Sequence, residues 1–172
     1  MAKTIENLKQ FLQQEGFTKY SLCEDNDNFV LNALKHDENG TYVFVVRENF
    51  SRQYEKFMRE VTGHFRNAQN EEREDTMLLV PDFNGKRGND DKMYFSEGNV
   101  FYVGSAKNVK GRIKEHITNA TLSKTGSLKL GFETRSRVKT HLDIYVRCYK
   151  TIGEARDMEG YIRTQFGAYF GE

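Results

Sequence analysis

A chain of 172 residues with a formal net charge of +1 and 30% charged residues is long enough for one domain with a buried core. No stretch approaches about 18 uncharged apolar residues, and the opening MAKTIENLKQ is charged where a secretory leader needs an apolar run, so the expectation is a cytoplasmic protein without membrane contact. Cys23 and Cys148 lie far apart and outside any CxxC or Cys/His pattern, which argues against a disulfide framework and a zinc site.

Thr4 is placed to cap a helix whose Ile5, Leu8, Phe11 and Leu12 recur at helical spacing, with Gly16 as its stop. Residues 40–46, GTYVFVV, are dense in β-branched and aromatic side chains and predict a buried strand. A second helix is expected from Ser51 to about residue 69, on the stripe Tyr54, Phe57, Met58, Val61 and Phe65. TMLLVP, 76–81, reads as a short strand stopped by Pro81, and the Gly-, Asn- and Asp-rich residues 82–91 as a loop.

MYF, the turn SEGN and VFYVGS predict a hairpin that runs into a helix over about 108–120, capped by Asn108, with Val109, Ile113 and Ile117 as its buried face. A basic loop, a short strand SLKL at 127–130, a strand over 141–149 and a helix over 152–166 complete the chain. The closing QFGAYFGE is expected to pack on that last helix. The order predicts an α/β (α+β mixed) fold, with no repeat or low-complexity linker.

The near-zero net charge conceals an asymmetry. Residues 105–150 hold 11 Lys and Arg against three acids, an excess of eight, whereas residues 60–97 hold nine acids against five bases. The basic half could face phosphates, through Lys107, Lys110, Lys114, Lys124, Lys129, Arg135, Arg137 and Lys139. His36, His64 and His141 have no partner pattern.

In FYVGSAKNVKGRIKEH, residues 101–116, Arg112 and His116 are four apart on the expected helix and share a face beside the apolar stripe. Both are expected at the rim of the core, pointing toward the strand that carries Tyr102. Cleaving a phosphodiester requires an activated water, a cation beside the phosphoryl oxygens and help for the leaving oxygen. Arginine offers a planar fork for phosphate, and tyrosine and histidine can pass protons. Taken singly, each residue has an ordinary alternative: tyrosines of apolar strands sit in cores, Arg112 can pair with Glu115 or Glu133, and Glu159 with Arg163 or Arg156 on one helix.

The stretch YVGSAKNVKGRIKEH resembles the second half of the GIY-YIG nuclease signature, with Tyr102, Val103 and Gly104 as its YIG, Arg112 as its helix arginine and His116 as its histidine. Gly40, Thr41 and Tyr42 resemble the first half, and Glu159 in EARDMEGYIRTQFG falls where the family places a metal-binding glutamate. Tyr42 and Tyr102 are 60 positions apart, so residues of about 50–92 would form an insertion. Tyr94 in KMYF is the rival first tyrosine, nearer in sequence but without the glycine.

The resemblance implies a nuclease domain over 40–172, with residues 1–39 as an addition packed on the core, acting as a metal-dependent DNA endonuclease; the expectation is a restriction-type enzyme that cuts two strands as a homodimer or by sequential nicking. Tyr42, Tyr102, Arg112, His116 and Glu159 would be its catalytic residues. Tyr42 and Tyr102 would flank the scissile phosphate, one of them as a partly ionised phenol, and Lys107 could lower its pKa. Glu159 would hold one Mg2+ or Mn2+ and Arg112 would neutralise phosphoryl charge. The alternatives are a non-cleaving module that binds nucleic acid or a protein on the same fold, and a structure-specific repair nuclease.

Overall fold

A strand that is apolar on both faces, like GTYVFVV, needs neighbours along its edges and a layer on each face. The computed structural model, which describes residues 5–58, 63–66, 72–75, 81–118 and 126–171, gives it both. The elements in the N-terminal half are α1 (Ile5–Gln14), β1 (Thr18–Ser21), α2 (Asp27–Ala33), β2 (Asn39–Val46), β3 (Phe50–Gln53), α3 (Tyr54–Met58), β4 (Gly63–Arg66) and β5 (Glu72–Asp75). Then come β6 (Lys92–Phe95), β7 (Val100–Ala106), α4 (Val109–Ile117), α5 (Glu133–Ser136), a 3-10 turn (Arg137–His141), β8 (Leu142–Tyr149) and α6 (Ile152–Phe166).

The main sheet has the order β1-β8-β2-β7, and its strands pair antiparallel. β2 is interior, with Tyr42 opposite Gly104 on one side and Val146 on the other. Along β2 the side chains alternate between two clusters. Val43 and Val45 join Leu8, Leu12, Phe17 and Ile162 beneath α1 and α6, while Tyr42, Phe44 and Val46 join Val109, Ile113 and Ile117 of α4 and Val30 of α2. Each such apolar side chain, fully buried, contributes about 1.5–3 kcal/mol.

The α/β mixed fold is as the sequence implies, as are α1, β2, the Asn108-capped α4, β8 and α6. Residues 76–80 and 119–120, parts of an expected strand and helix, lie outside the described residues. Three local expectations are corrected. Residues 51–69 are not one helix: Phe50–Gln53 is a strand, α3 spans one turn and Gly63–Arg66 is again a strand. Cross-strand pairing of Phe50 with Phe95, rings 4.6 Å apart and stacked, outweighs the helical stripe, which Gly63 interrupts in any case.

β6 and β7 do not form a hairpin. β6 pairs with β3 in a separate two-stranded sheet, and β7, buried on both faces at Val100, Phe101 and Val103, pairs with β2. SLKL is not a strand, because two of its backbone donors are spent on α4: the N–H of Leu128 goes to the His116 ring and that of Leu130 to the His116 carbonyl.

β7 is an edge strand of its sheet, and its outer carbonyls are covered. Val100 and Phe101 accept from the N–H groups of Tyr169 and Phe170, and Val103 accepts from Arg163. The C-terminal stretch thus packs on β7, with Phe170 fully buried and bridged to Tyr102 and Phe83. No helix among the described residues is long and apolar enough to cross a membrane.

Candidate active site

The turn between β7 and α4 sets the first half of the site. The Asn108 side chain accepts from the N–H of Gly111 and starts α4, which lays Val109, Ile113 and Ile117 on the sheet. Gly40 permits that approach: a Cβ there would lie 3.0 Å from the Val109 side chain and from the Arg147 carbonyl oxygen. One turn apart on α4, Arg112 and His116 face the tyrosines. His116 is not at a rim but wholly buried.

Four groups converge there. Tyr42 Oη lies 2.9 Å from His116 Nε2, the Tyr42 and Tyr102 rings stack at 6.1 Å, and Tyr102 and His116 are 4.7 Å apart. Arg112 pairs with Glu115 and stands beside the Tyr42 hydroxyl. Gly104 is the glycine this packing requires, since a Cβ there would lie 2.4 Å from Tyr42 Oη.

The hydrogen bonds decide the protonation. The N–H of Leu128 donates to His116 Nδ1 at 3.0 Å, so that nitrogen is bare and a neutral ring carries its proton on Nε2, where it donates to Tyr42 Oη. Burial, together with the charges of Arg112 and Lys129, holds the His116 pKa well below its ordinary value, which keeps the ring neutral. Burial likewise raises Tyr42 well above the usual phenol value, against the lowering effect of Arg112. The expectation of a partly ionised phenol therefore fails for Tyr42, and Lys107 is exposed in the turn.

Glu159 reaches the site around the outer edge of β7, from α6 on the opposite face. A capping box of Thr151 and Glu154 starts α6, and the Thr41 hydroxyl donates to the Ala155 carbonyl, tying the helix to β2 at 2.7 Å. Glu159 Oε2 accepts from Ser105 Oγ at 2.5 Å and Oε1 from Arg163 at 2.9 Å. An open cleft of about 540 Å³ is lined by Tyr102, Glu159, Arg163, Asp82 and Gly171. Tyr102 is thus common to both halves, packed on Tyr42 and His116 and facing the cleft that holds Glu159.

Among the described residues no three His, Cys, Asp or Glu side chains converge on one point, and the carboxylates that line the cleft are Glu159 and Asp82. Each Glu159 oxygen has one donor and retains lone pairs. Carboxylate oxygens with free lone pairs in an open cleft fit a hard divalent cation.

Tyr94, the rival tyrosine, is half-exposed on β6 and gives its hydroxyl to Asp90. Of the cations expected to meet DNA, Lys107, Lys114 and Arg137 are exposed and Lys110 is partly so. Lys124 lies outside the described residues. Lys129, Arg135 and Lys139 are buried and offer no open cationic surface. Lys139 Nζ instead binds Asp27 at 3.0 Å and the Ile117 carbonyl at 3.2 Å, joining α2 to the end of α4. Arg135 lies over the Phe57 ring and donates to the Leu128 carbonyl. Lys129, near Arg135 and Arg112, is pushed down to about 8, chiefly by burial.

Sequence reasoning passed over Leu128, Ser105 and Thr41 as site residues. Leu128 acts through its backbone, which leaves no side-chain signal, while Ser105 directly follows the YVG tripeptide and could have been noticed there. The family model of the GIY-YIG catalytic domain matches residues 92–171. The match takes in Tyr94, Tyr102, Arg112, His116 and Glu159 and begins beyond β2, which carries Tyr42. No curated protein and no solved structure matches the chain.

Proposed function

Because this chain carries a GIY-YIG catalytic domain, and with it a nuclease-type fold, we propose that it is a divalent-metal-dependent DNA endonuclease of restriction type. Its site comprises Tyr42, Tyr102, Arg112, His116 and Glu159. The observation that carries the reading is the shared position of Tyr102, stacked on the Tyr42–His116 pair on one side and lining the Glu159 cleft on the other.

On this reading the scissile phosphate lies against Tyr102. Glu159 holds one Mg2+ or Mn2+, which supplies Lewis-acid stabilisation of phosphoryl and leaving-group charge. His116, neutral and fixed as its Nε2–H tautomer, donates to the Tyr42 oxygen. The Tyr42 proton is then directed away from His116, toward Tyr102, whose ring faces the cleft. Tyr42 acts as a hydrogen-bonding group, since burial keeps it un-ionised at neutral pH. Arg112, fully charged, shares its guanidinium between Glu115 and the charge that develops on the phosphate. Exposed Lys107, Lys114 and Arg137 attract the DNA backbone. Cutting both strands of a duplex calls for a homodimer or for two successive nicks.

The test is a supercoiled-plasmid assay of wild type and Glu159→Ala, with Mg2+, with Mn2+ and in EDTA. Metal-dependent nicking or linearisation by wild type, with the variant binding DNA but leaving it intact, is the expected result. Plasmid left whole by both proteins, with DNA still shifted in a gel, would instead support a binding module on the same fold. Branched duplexes cut far faster than linear ones would replace the restriction reading by a repair one.

A further inference from the structure

We propose that Ser105 and Arg163 are positioning residues that hold the Glu159 carboxylate against β7 for a divalent cation, an inference that rests on the metal-dependent reading above. The two carboxylate oxygens are bound separately, Oε2 by Ser105 Oγ at 2.5 Å and Oε1 by Arg163 Nη2 at 2.9 Å. Both anchors tie it to β7. Ser105 is part of the strand, and the same Arg163 Nη2 donates to the Val103 carbonyl at 3.0 Å, one residue after Tyr102 and on the unpaired edge of the sheet. The carboxylate of an α6 residue is therefore tied to the strand that carries Tyr102, and both line the same cleft.

An ordinary i, i+4 surface pair has a different form. Such pairs are solvated and reach only each other, whereas Arg163 spends one nitrogen on a backbone carbonyl and a carboxylate together. Among the described residues its buried Nη1 has no hydrogen-bond partner, and a Cβ on Gly171 would lie 2.9 Å from it. Outer partners of this kind set the orientation of a metal-binding carboxylate, and their loss typically weakens metal affinity 10- to 100-fold.

Charge alone makes the opposite prediction. An arginine beside the carboxylate repels a dication, and deleting a cation that does no positioning leaves metal binding unchanged or tighter. Titrating the purified full chain with Mn2+ and following free Mn2+ by electron paramagnetic resonance separates the two without any cleavage. Arg163→Met is expected to bind Mn2+ about 10- to 100-fold more weakly, and Ser105→Ala to weaken it in the same direction, with Ser105→Thr restoring it. Circular dichroism controls for folding, and if Arg163→Met does not fold, Arg163→Lys takes its place with the same sign expected. Unchanged or tighter Mn2+ binding in the folded arginine variant overturns the proposal. If wild type binds no Mn2+, the proposal and the metal-dependent reading fall together. If wild type binds Mn2+ and the variants weaken it while plasmid DNA stays intact, only the nuclease reading fails.

Discussion

Tyr42 and His116 are 74 residues apart in the chain and meet at 2.9 Å inside the core, each the other's hydrogen-bond partner. The Leu128 N–H on the far side of the ring gives the bond its direction, from imidazole to phenol. Tyr42→Phe would leave the Nε2–H of a buried histidine unpaired, at a cost of about 1–3 kcal/mol. Urea unfolding should register that loss, and metal-dependent plasmid cleavage should fall by about 100-fold or more, in the range of a positioned proton-handling group. Tyr94→Phe, on the β3–β6 sheet, should alter neither quantity. The reverse pattern would transfer the role of first tyrosine to Tyr94.

The depressed pKa of His116 makes stability depend on pH in a defined window. In the unfolded chain the imidazole takes up a proton below its ordinary value of about 6.5, while in the fold burial and the neighbouring cations keep it neutral. The unfolded state thus binds the extra proton. Stability from this group is complete above about pH 6.5 and falls below it, by about 1.4 kcal/mol per pH unit. Urea midpoints of wild type and His116→Gln at pH 7.5 and 5.5 isolate it: wild type should lose more stability on acidification than the variant. Equal losses would mean that His116 is protonated in the fold.

Gly104 faces the Tyr42 hydroxyl with no room for a side chain, since a Cβ would stand 2.4 Å from the oxygen and 2.7 Å from the ring carbon that bears it. The neighbouring atoms belong to a rigid ring locked on His116, so they cannot swing aside. Gly104→Ala should destabilise by about 1–3 kcal/mol, the usual cost of overpacking, and abolish cleavage by displacing Tyr42. A thermal melt with a plasmid assay checks both.

Buried and exposed lysines should separate cleanly. Lys139→Met leaves Asp27 without its cation and the Ile117 carbonyl without its donor, so stability should fall by at least about 2 kcal/mol, with the salt dependence of DNA binding unchanged. Lys114→Gln, on the open side of α4, should leave the melting temperature alone. Where Lys114 meets a phosphate, the slope of log K against log salt shrinks by about 0.9. Fluorescence anisotropy across a salt series, beside thermal melts, distinguishes the two effects.

Features that depend on local order were legible in the chain directly. The spacing of Tyr102, Gly104, Arg112 and His116 follows from a strand turning into an Asn-capped helix, and the helical period on 152–166 placed Glu159 on α6. The α/β character followed from the same periodicities. Which strands pair emerged from the fold, because pairing is a competition between distant segments: β7 reads as the partner of β6 across a four-residue turn, yet two-sided burial draws it to β2. The same competition turned Phe50–Gln53 into a strand through Phe95. Three-dimensional packing also decided the electrical state of the site. Whether a lysine stays at the surface or is spent on a neighbouring carboxylate, and whether a histidine is charged or neutral, depends on desolvation and on backbone donors such as the Leu128 N–H, and neither is written in the identity of the residue that bears the charge.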